Sequence, residues 1–359
     1  MLKKIIILMM VVFFFSCSAE KNKNKRNETS KAEHEQQEIG EHKSIHQQEW
    51  EEHQTESRNY SLEKTDLEVI KTENITSDFS KKFILPHYTT DAKKLVFTTE
   101  NYNGIWIYDF EKNIIRQLNA LPGSGYKFEL SSDGSKVYFR NKTFKKNNPK
   151  AEYAIIEQTI DSKKMNMLYI SKNVLTPPVQ IGNEIIFLEN DKPKAYNIKT
   201  KKIEKEITST FIYVVNNKLI KFTKDKKETI SLNGMKPISS KYTGDKKNII
   251  CLTAAKGLLL LDNNGTVLNI YPKAFSLSKL SNSNLVVFTE EEDNGKQIVK
   301  SDIYIGFTNS DKKIKLKNLE DKKIFNPVWS GKENKIAYNT EDGEIKIITL
   351  NIHTKEEKK

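Results

Sequence analysis

One phrase of this sequence occurs three times, and it constrains the fold more than any other feature. Phe325-Asn326-Pro327-Val328-Trp329-Ser330 passes through the polar stretch Gly331 to Lys335 into Ile336-Ala337-Tyr338. Phe83-Ile84-Leu85-Pro86 passes through Asp91-Ala92-Lys93-Lys94 into Leu95-Val96-Phe97, and Tyr126-Lys127-Phe128 through Ser131-Ser132-Asp133-Gly134-Ser135-Lys136 into Val137-Tyr138-Phe139. Each copy reads as a short strand, a tight polar turn and a second strand. Recurrence at roughly forty-residue spacing marks a repeat architecture, in which each unit buries its apolar faces against its neighbours.

The units run in order. The first spans about 83–119, with further strands at Gly104–Asp109 and Ile114–Leu118; four antiparallel strands per unit make a propeller blade. The second, from Gly123, carries a polar insertion at Asn141–Lys150, then strands at Tyr153–Ile160 and Met167–Ile170. The third has strands at Val179–Ile181, Glu184–Phe187, Lys194–Asn197 and Ile203–Ile207. The fourth is compact: Phe211–Val215, Leu219–Phe222 and Thr229–Leu232. The fifth spans about Lys236–Ile270, and the sixth Ala274–Leu319, with Glu290–Gly295 as a loop between its clearest strands. The seventh opens at Phe325 and ends after a third strand, Glu344–Leu350. An unassigned alternating stretch, Leu67–Lys71, precedes the first unit and fits the missing fourth place. The expected fold is therefore all-β: a propeller of six or seven four-stranded blades over 65–354, closed by an N-terminal strand that removes the last open edge. Residues 355–359 form a charged tail.

The phrases at Ser131–Phe139 and Asn326–Tyr338 resemble the repeat of TolB-like (PD40) propellers, a WD40-like group, and the resemblance extends loosely over Leu67–Ile352. It implies the propeller fold and a docking role in the cell envelope. The aromatic and Pro positions of the phrase read as blade packing.

The N-terminus carries an address. Lys3 and Lys4 precede an apolar run, Ile5–Phe15, of signal-peptide length and too short to span a bilayer as a helix. Phe14-Phe15-Ser16-Cys17 resembles a bacterial lipobox with Phe14 in place of the usual Leu. The resemblance implies a signal peptide over 1–16 and acylation (palmitate among the chains) at Cys17, giving stable anchoring at about 0.8 kcal/mol per buried methylene. Ser18 is not the Asp that retains lipoproteins at some inner membranes, which points to the outer membrane; of its two sides the periplasmic face is expected over the cell surface, though Ser18 does not bear on that choice. Residues 17–64 are polar and nearly devoid of apolar side chains, as expected of the acylated Cys and a flexible, disordered tether. His34, His42, His46, His53 and Trp50 lie within it. His42 and His46 share one face of any helix there, but no cysteine or tight acidic cluster completes a metal site, and no metal is expected.

Composition narrows the function. The net charge of +12 comes mostly from Lys; Arg occurs only at 26, 58, 116 and 140. Readers of base edges rely on Arg, so nucleic acid is not an expected partner. Cys251 lies in a strand-like run and reads as a buried apolar residue. Two cysteines make no disulfide framework. There is no Gly-x-Ser-x-Gly elbow. Outside the tether only His87, read as a loop residue after Pro86, and His353, in the tail, remain for acid–base work. Asp91, Asp133 and Asp245 fall in the repeat turns, where carboxylates support the turn itself. Gly123-Ser124-Gly125 reads as an inter-blade turn, not a phosphate loop.

The expectation is a non-enzymatic, membrane-anchored scaffold with no cofactor and no small-molecule substrate. It would bind envelope proteins, among them the outer-membrane β-barrel assembly machinery. A surface lipoprotein binding a host or environmental ligand, and a propeller hydrolase or lyase, are the alternatives.

Overall fold

The computed structural model describes residues 65–144, 150–224, 226–242, 248–254, 256–276, 285–307, 310–321, 323–330 and 333–354. Every element among them is a β-strand, and the strands form seven separate antiparallel sheets. Blade 1 shows the plan: Phe83–Tyr88, Lys94–Thr99, Ile105–Asp109 and Ile114–Asn119 run in order from the axis outward.

The core is not one mass but seven apolar clusters, one between each pair of adjacent blades. This explains the continuous apolar runs of the middle strands. A blade is covered on both faces, so both alternating sets of side chains must be apolar. In Leu95-Val96-Phe97 all three are fully buried; Leu95 and Phe97 face blade 7, and Val96 faces blade 2. Cys251 is likewise packed inside, between blades 4 and 5, and burial pushes its thiol up to about 12.

The ring closes as the sequence suggests. Thr65–Asn74 pairs antiparallel with Ile345–Thr354, from Thr65 opposite Thr354 to Asn74 opposite Lys346, and forms the outermost strand of blade 7. Leu67 and Val69 pack on the cluster between blades 6 and 7. A bulge after Val69 turns Ile70 out to solvent. Beyond the strand, the Ile75 amide donates to the Ile345 carbonyl (3.0 Å), and the Ile345 amide donates to the buried Thr76 hydroxyl (2.8 Å). The Phe83 amide donates to Gly343 (2.7 Å), whose φ of +80° and lack of a Cβ let Lys82 lie against it.

Several local expectations change. Blade 4 has three strands, Phe211–Val215, Lys218–Phe222 and Lys227–Ile230, with no fourth among the described residues. Blade 6 also shows three, Leu285–Asp293, Ile298–Phe307 and Ser310–Lys315. Its inner place is marked by Ala274, which bridges Glu290, and by the Phe275 amide donating to Thr289 (3.0 Å). The sixth unit's expected loop at Glu290–Gly295 is mostly strand, because pairing continues to Asp293 opposite Ile298. The second unit's insertion is in part a prolongation of two paired strands, Lys136–Phe144 and Ala151–Thr159. The strand expected at Ile203–Ile207 is Lys202–Glu204. His87 belongs to a strand, paired with Val96, since the chain resumes the ladder directly after Pro86. His353 also lies in a strand, opposite Asp66.

Candidate interaction face

The antiparallel plan distributes the connections. Turns between first and second strands, and between third and fourth, lie on one face of the ring. Turns between second and third strands, and the crossings to the next blade, lie on the other.

The first face carries the repeat turns, which are built for structure. Asp91 Oδ1 accepts from the Thr89 hydroxyl (2.6 Å) and the Lys93 amide (3.0 Å). Asp133 Oδ1 accepts from the Ser131 hydroxyl (2.6 Å) and from the Ser135 amide (3.0 Å) and hydroxyl (2.9 Å). Burial works to raise both carboxyls, but these donors and the nearby lysines hold them below the ordinary carboxylate range. Asp245 lies outside the described residues. The turn at Gly123–Gly125, a crossing between blades 1 and 2 and so on the other face, is closed by the Tyr126 amide donating to Gly123 (3.1 Å).

The second face is where the molecule departs from economy. In blade 5 the middle hairpin pairs Asn248–Thr253 with Gly257–Asp262 and stops. In blade 2 pairing runs from Lys136 opposite Thr159 to Phe144 opposite Ala151. In blade 6 it runs from Leu285 opposite Phe307 to Asp293 opposite Ile298. Three further residues of strand extend each hairpin by roughly 10 Å. Both middle hairpins therefore project from the same face at the same radius. Full burial ends at Asn141 in one and at Thr289 in the other; beyond them the described residues of these two strands are half-buried, as Glu290 and Glu291 are, or exposed.

Their chemistry is opposite. The blade 2 hairpin bears Arg140, Lys142 and Lys150 and one carboxylate, Glu152, in its described part. Lys142 Nζ sits 5.1 Å from the Phe144 ring and 5.8 Å from the Tyr153 ring, a cation between aromatic faces. Phe144 is 64% exposed. The blade 6 hairpin bears Glu290, Glu291, Glu292 and Asp293 in succession, with Lys296 in its turn and Lys300 on its return strand. Glu290 pairs with Lys313 and Glu292 reaches Lys300 at 4.0 Å. The Glu291 side chain has no such partner among the described residues, and burial raises its carboxyl above the ordinary range.

Glu291 borders a cavity of about 310 Å³ at the axial end of blades 6, 7 and 1, with Ile84, Phe275, Phe325, Asn326 and Asn339 among its lining residues. Here the innermost strands kink. Leu85, Lys127 and Asn326, the same position in three repeats, adopt φ of 55°, 50° and 51°. Strand pairing breaks around two of them, between Ile84 and His87 and between Phe325 and Val328. A left-handed conformation costs a side chain such as leucine's roughly 1–2 kcal/mol. The buried Asn339 side chain offsets part of this, accepting from the Leu85 amide (3.4 Å) and Asn326 Nδ2 (2.9 Å) and so tying blades 7 and 1 together. His87 stands edge-on to Phe128, 5.0 Å between centroids, across the next inner-strand boundary.

Some exposed large apolar side chains lie on this face: Phe79, Phe144, Val174, Ile238, Phe275 and Val299 are on its connections, hairpins or strand ends. Others, such as Met165, Met167, Val267 and Leu268, lie along the outer strands of blades 2 and 5. Cys17, the four tether histidines and Trp50 lie outside the described residues. Among the described residues no three His, Cys, Asp or Glu side chains converge as a metal site would require. The two hairpins and Glu291 were not singled out from sequence; the runs Lys142–Lys150 and Glu290–Asp293, opposite in charge in corresponding units, are the signal that marks them.

No family model matches the sequence, and no curated protein gives a significant match. Solved structures do match in shape. The WD40 repeats of RRP9 superpose with a TM-score of 0.57 at 10% identity, covering 80% of this chain and 100% of that one. The chain has the fold of a WD40 propeller. TolB from Acinetobacter baumannii aligns with a TM-score of 0.46 at 15% identity (70% of this chain, 57% of that one). An oligogalacturonate lyase from Vibrio parahaemolyticus aligns with a TM-score of 0.43 at 11% identity (74% and 76%). A propeller serves as a rigid mount for loops, and function resides in what the mount carries.

Proposed function

We propose that this protein is a non-enzymatic docking platform, held to the outer membrane of a bacterial envelope by acyl chains on Cys17 and engaging other envelope proteins through its hairpin face. The observation that carries the docking role is the placement of two projecting hairpins on one side of the ring, with exposed apolar side chains such as Phe144 and Val299 on them. The address rests on the run Ile5–Phe15 ending at Ser16-Cys17. Thr65 starts the closing strand on the repeat-turn face, opposite Thr354.

The expected partner class is periplasmic modules of the β-barrel assembly machinery, which expose strand edges and loops suited to such a face. Two measurements test this. Radiolabelled palmitate is incorporated by the wild type and lost in Cys17→Ser. Affinity capture from solubilised membranes recovers a barrel-assembly component with the wild type, and recovery falls at least about tenfold for Phe144→Asp, as for loss of an interface anchor. Acylation without any assembly component would remove the partner class. Digestion of the protein on intact cells by added protease would place it on the surface instead.

A further inference from the structure

The rim of the ring has a vacant strand place in blade 4, and the two walls of that place differ in chemistry. Blade 4 ends at its third strand, Lys227–Ile230. The chain then turns at Leu232–Met235, where the Met235 amide donates to Leu232 (3.0 Å), and enters blade 5 at Pro237. Among the described residues no strand pairs with the outer edge of Lys227–Ile230. Blades 3 and 5 on either side have four strands each, so the vacancy is one strand spacing deep, about 4.8 Å.

The wall on the blade 5 side is apolar. Residues directly opposite in an antiparallel pair share a face. Val267 stands opposite Leu261 and Ile270 opposite Leu259, and both leucines belong to the cluster between blades 4 and 5. Val267 and Ile270 therefore face the place that a fourth strand of blade 4 would fill, and they stay 37% and 40% exposed. The other face of their strand is covered by blade 6: Asn269 Nδ2 and the Tyr271 hydroxyl donate to the Ser310 carbonyl at 2.6 and 2.9 Å. Ile230 lies against Gly265, two residues before Val267, so the open edge and the apolar wall adjoin. Met165 and Met167 of blade 2 are exposed as well, but blade 1 beside them has all four strands and leaves no vacant place.

The wall on the blade 3 side is polar and basic. Lys227 stands opposite Phe222 and Thr229 opposite Ile220, both in the cluster between blades 3 and 4, and Lys227 Nζ lies 5.6 Å from the Phe222 ring. On the outermost strand of blade 3, Glu204 is opposite Ala195 of the same cluster, and Lys202, two residues away, shares its face. The Thr200 hydroxyl donates to Glu204 (3.0 Å), Glu206 reaches Lys224 and Glu228 pairs with Lys226. Lys202 and Lys227 are left without a carboxylate among the described residues.

We propose that the vacant place in blade 4 receives an extended segment of a partner protein as a fourth strand, with apolar residues facing Val267 and Ile270 alternating with acidic ones facing Lys202 and Lys227. The backbone ladder supplies affinity, and the alternation of side chains supplies specificity. The same lysines repel lysine-rich strands, among them those of a second copy of this chain, whose net charge is +12. This surface is on the rim, apart from the hairpin face, and does not rest on the role proposed for that face.

Fluorescence anisotropy on the full chain in detergent tests it, with a labelled peptide of about six residues alternating Val and Glu as the probe. The wild type binds it with a Kd of about 100 μM, and a Val–Lys peptide at least about tenfold more weakly. N-methylating the alternate peptide amides that face the edge weakens binding by a similar factor, whereas methylating the other set does not, because only one side of an added strand joins the ladder. Val267→Ser with Ile270→Ser also weakens it, and Lys202→Glu with Lys227→Glu turns the preference from the Val–Glu peptide to the Val–Lys one. Hydrogen exchange at Lys227–Ile230 slows when the peptide binds, which locates it. Circular dichroism melts check that each variant stays folded. Phe144→Asp leaves peptide binding unchanged, so failure here and failure of the hairpin face are separate results. No binding by the wild type at about 1 mM, indifference to N-methylation, or a preference that the charge reversals do not shift overturns the proposal. Protection of Lys227–Ile230 in the free chain that is lost on deleting residues 18–64 assigns the place to the chain's own N-terminal segment. Protection that grows with protein concentration assigns it to a second copy, and either result overturns the proposal.

Discussion

Blades 4 and 7 both run out of strands of their own, and they resolve the shortage differently. Blade 7 has three, the last of them Ile345–Thr354, and takes its fourth from the beginning of the ring, Thr65–Asn74. Blade 4 ends at Lys227–Ile230, which stays an open edge among the described residues. The edge is short, and its outward residues Lys227, Glu228 and Thr229 are polar, with Glu228 paired to Lys226. Charge and brevity are the usual protections of such an edge. Ile230 turns inward, under the Gly265 turn of blade 5, where an added Cβ would stand 2.2 Å from Ile230 Cγ2. The contrast shows what the fourth strand is for. Blade 4 is joined by peptide bonds to a neighbour on each side, so three strands hold it. Between blades 7 and 1 the last strand of one blade does not lead directly into the next, and the borrowed strand adds to the Asn339 hydrogen bond and the apolar cluster that join them.

The comparison breaks first at the clasp. Deleting Thr65–Asn74 removes a strand paired along its whole length and uncovers the apolar cluster beneath Leu67 and Val69. We expect a loss of about 4 kcal/mol or more, read as a fall in denaturant midpoint, with partial rescue by the ten-residue peptide added in trans. Ile230→Ala empties a packed site in blade 4 and should cost about 2–3 kcal/mol in the same assay. If it costs as much as losing the clasp, blade 4 is not held by its neighbours as argued. Lys227→Thr with Glu228→Val should leave thermal stability within about 0.5 kcal/mol, yet raise light scattering on concentration, because the guarded edge becomes adhesive. Asp133→Asn gives a modest stability change, about 1 kcal/mol at neutral pH for a weakened turn. Its sign with pH is fixed. The Asp133 carboxyl is held below its ordinary value, so its contribution is present above the unfolded value of about 3.9 and vanishes as pH falls through the lower folded one. Stability curves of wild type and D133N should therefore converge in acid.

Much of this ring is legible in the residues. The repeat phrase marks Phe83, Tyr126 and Phe325 as blade openings, and blade 4 is visibly short. The need for a strand at Leu67–Lys71 follows from counting what the last blade lacks. These are local signals, set by alternation and turn chemistry. The hairpin extensions are not so marked. Beyond Asn141 and Thr289 the strands are no longer buried on both faces, so no apolar period is imposed, and polar residues there look like loop. His87 misled for a related reason. Pro86 suggests an ending, whereas the left-handed turn at Leu85 absorbs the kink and the ladder resumes at His87. The cavity beside Glu291 draws on blades 6, 7 and 1, and no stretch of chain displays it.

The borrowed strand also decides how the ring bears a mechanical load. Thr65 is the outer end of a ladder whose rungs run from Thr354 to Lys346. A pull on Thr65 along the strand therefore loads those rungs together, in shear, because the hydrogen bonds lie across the direction of force. The ten residues that seal the ring are also the ones that carry this load.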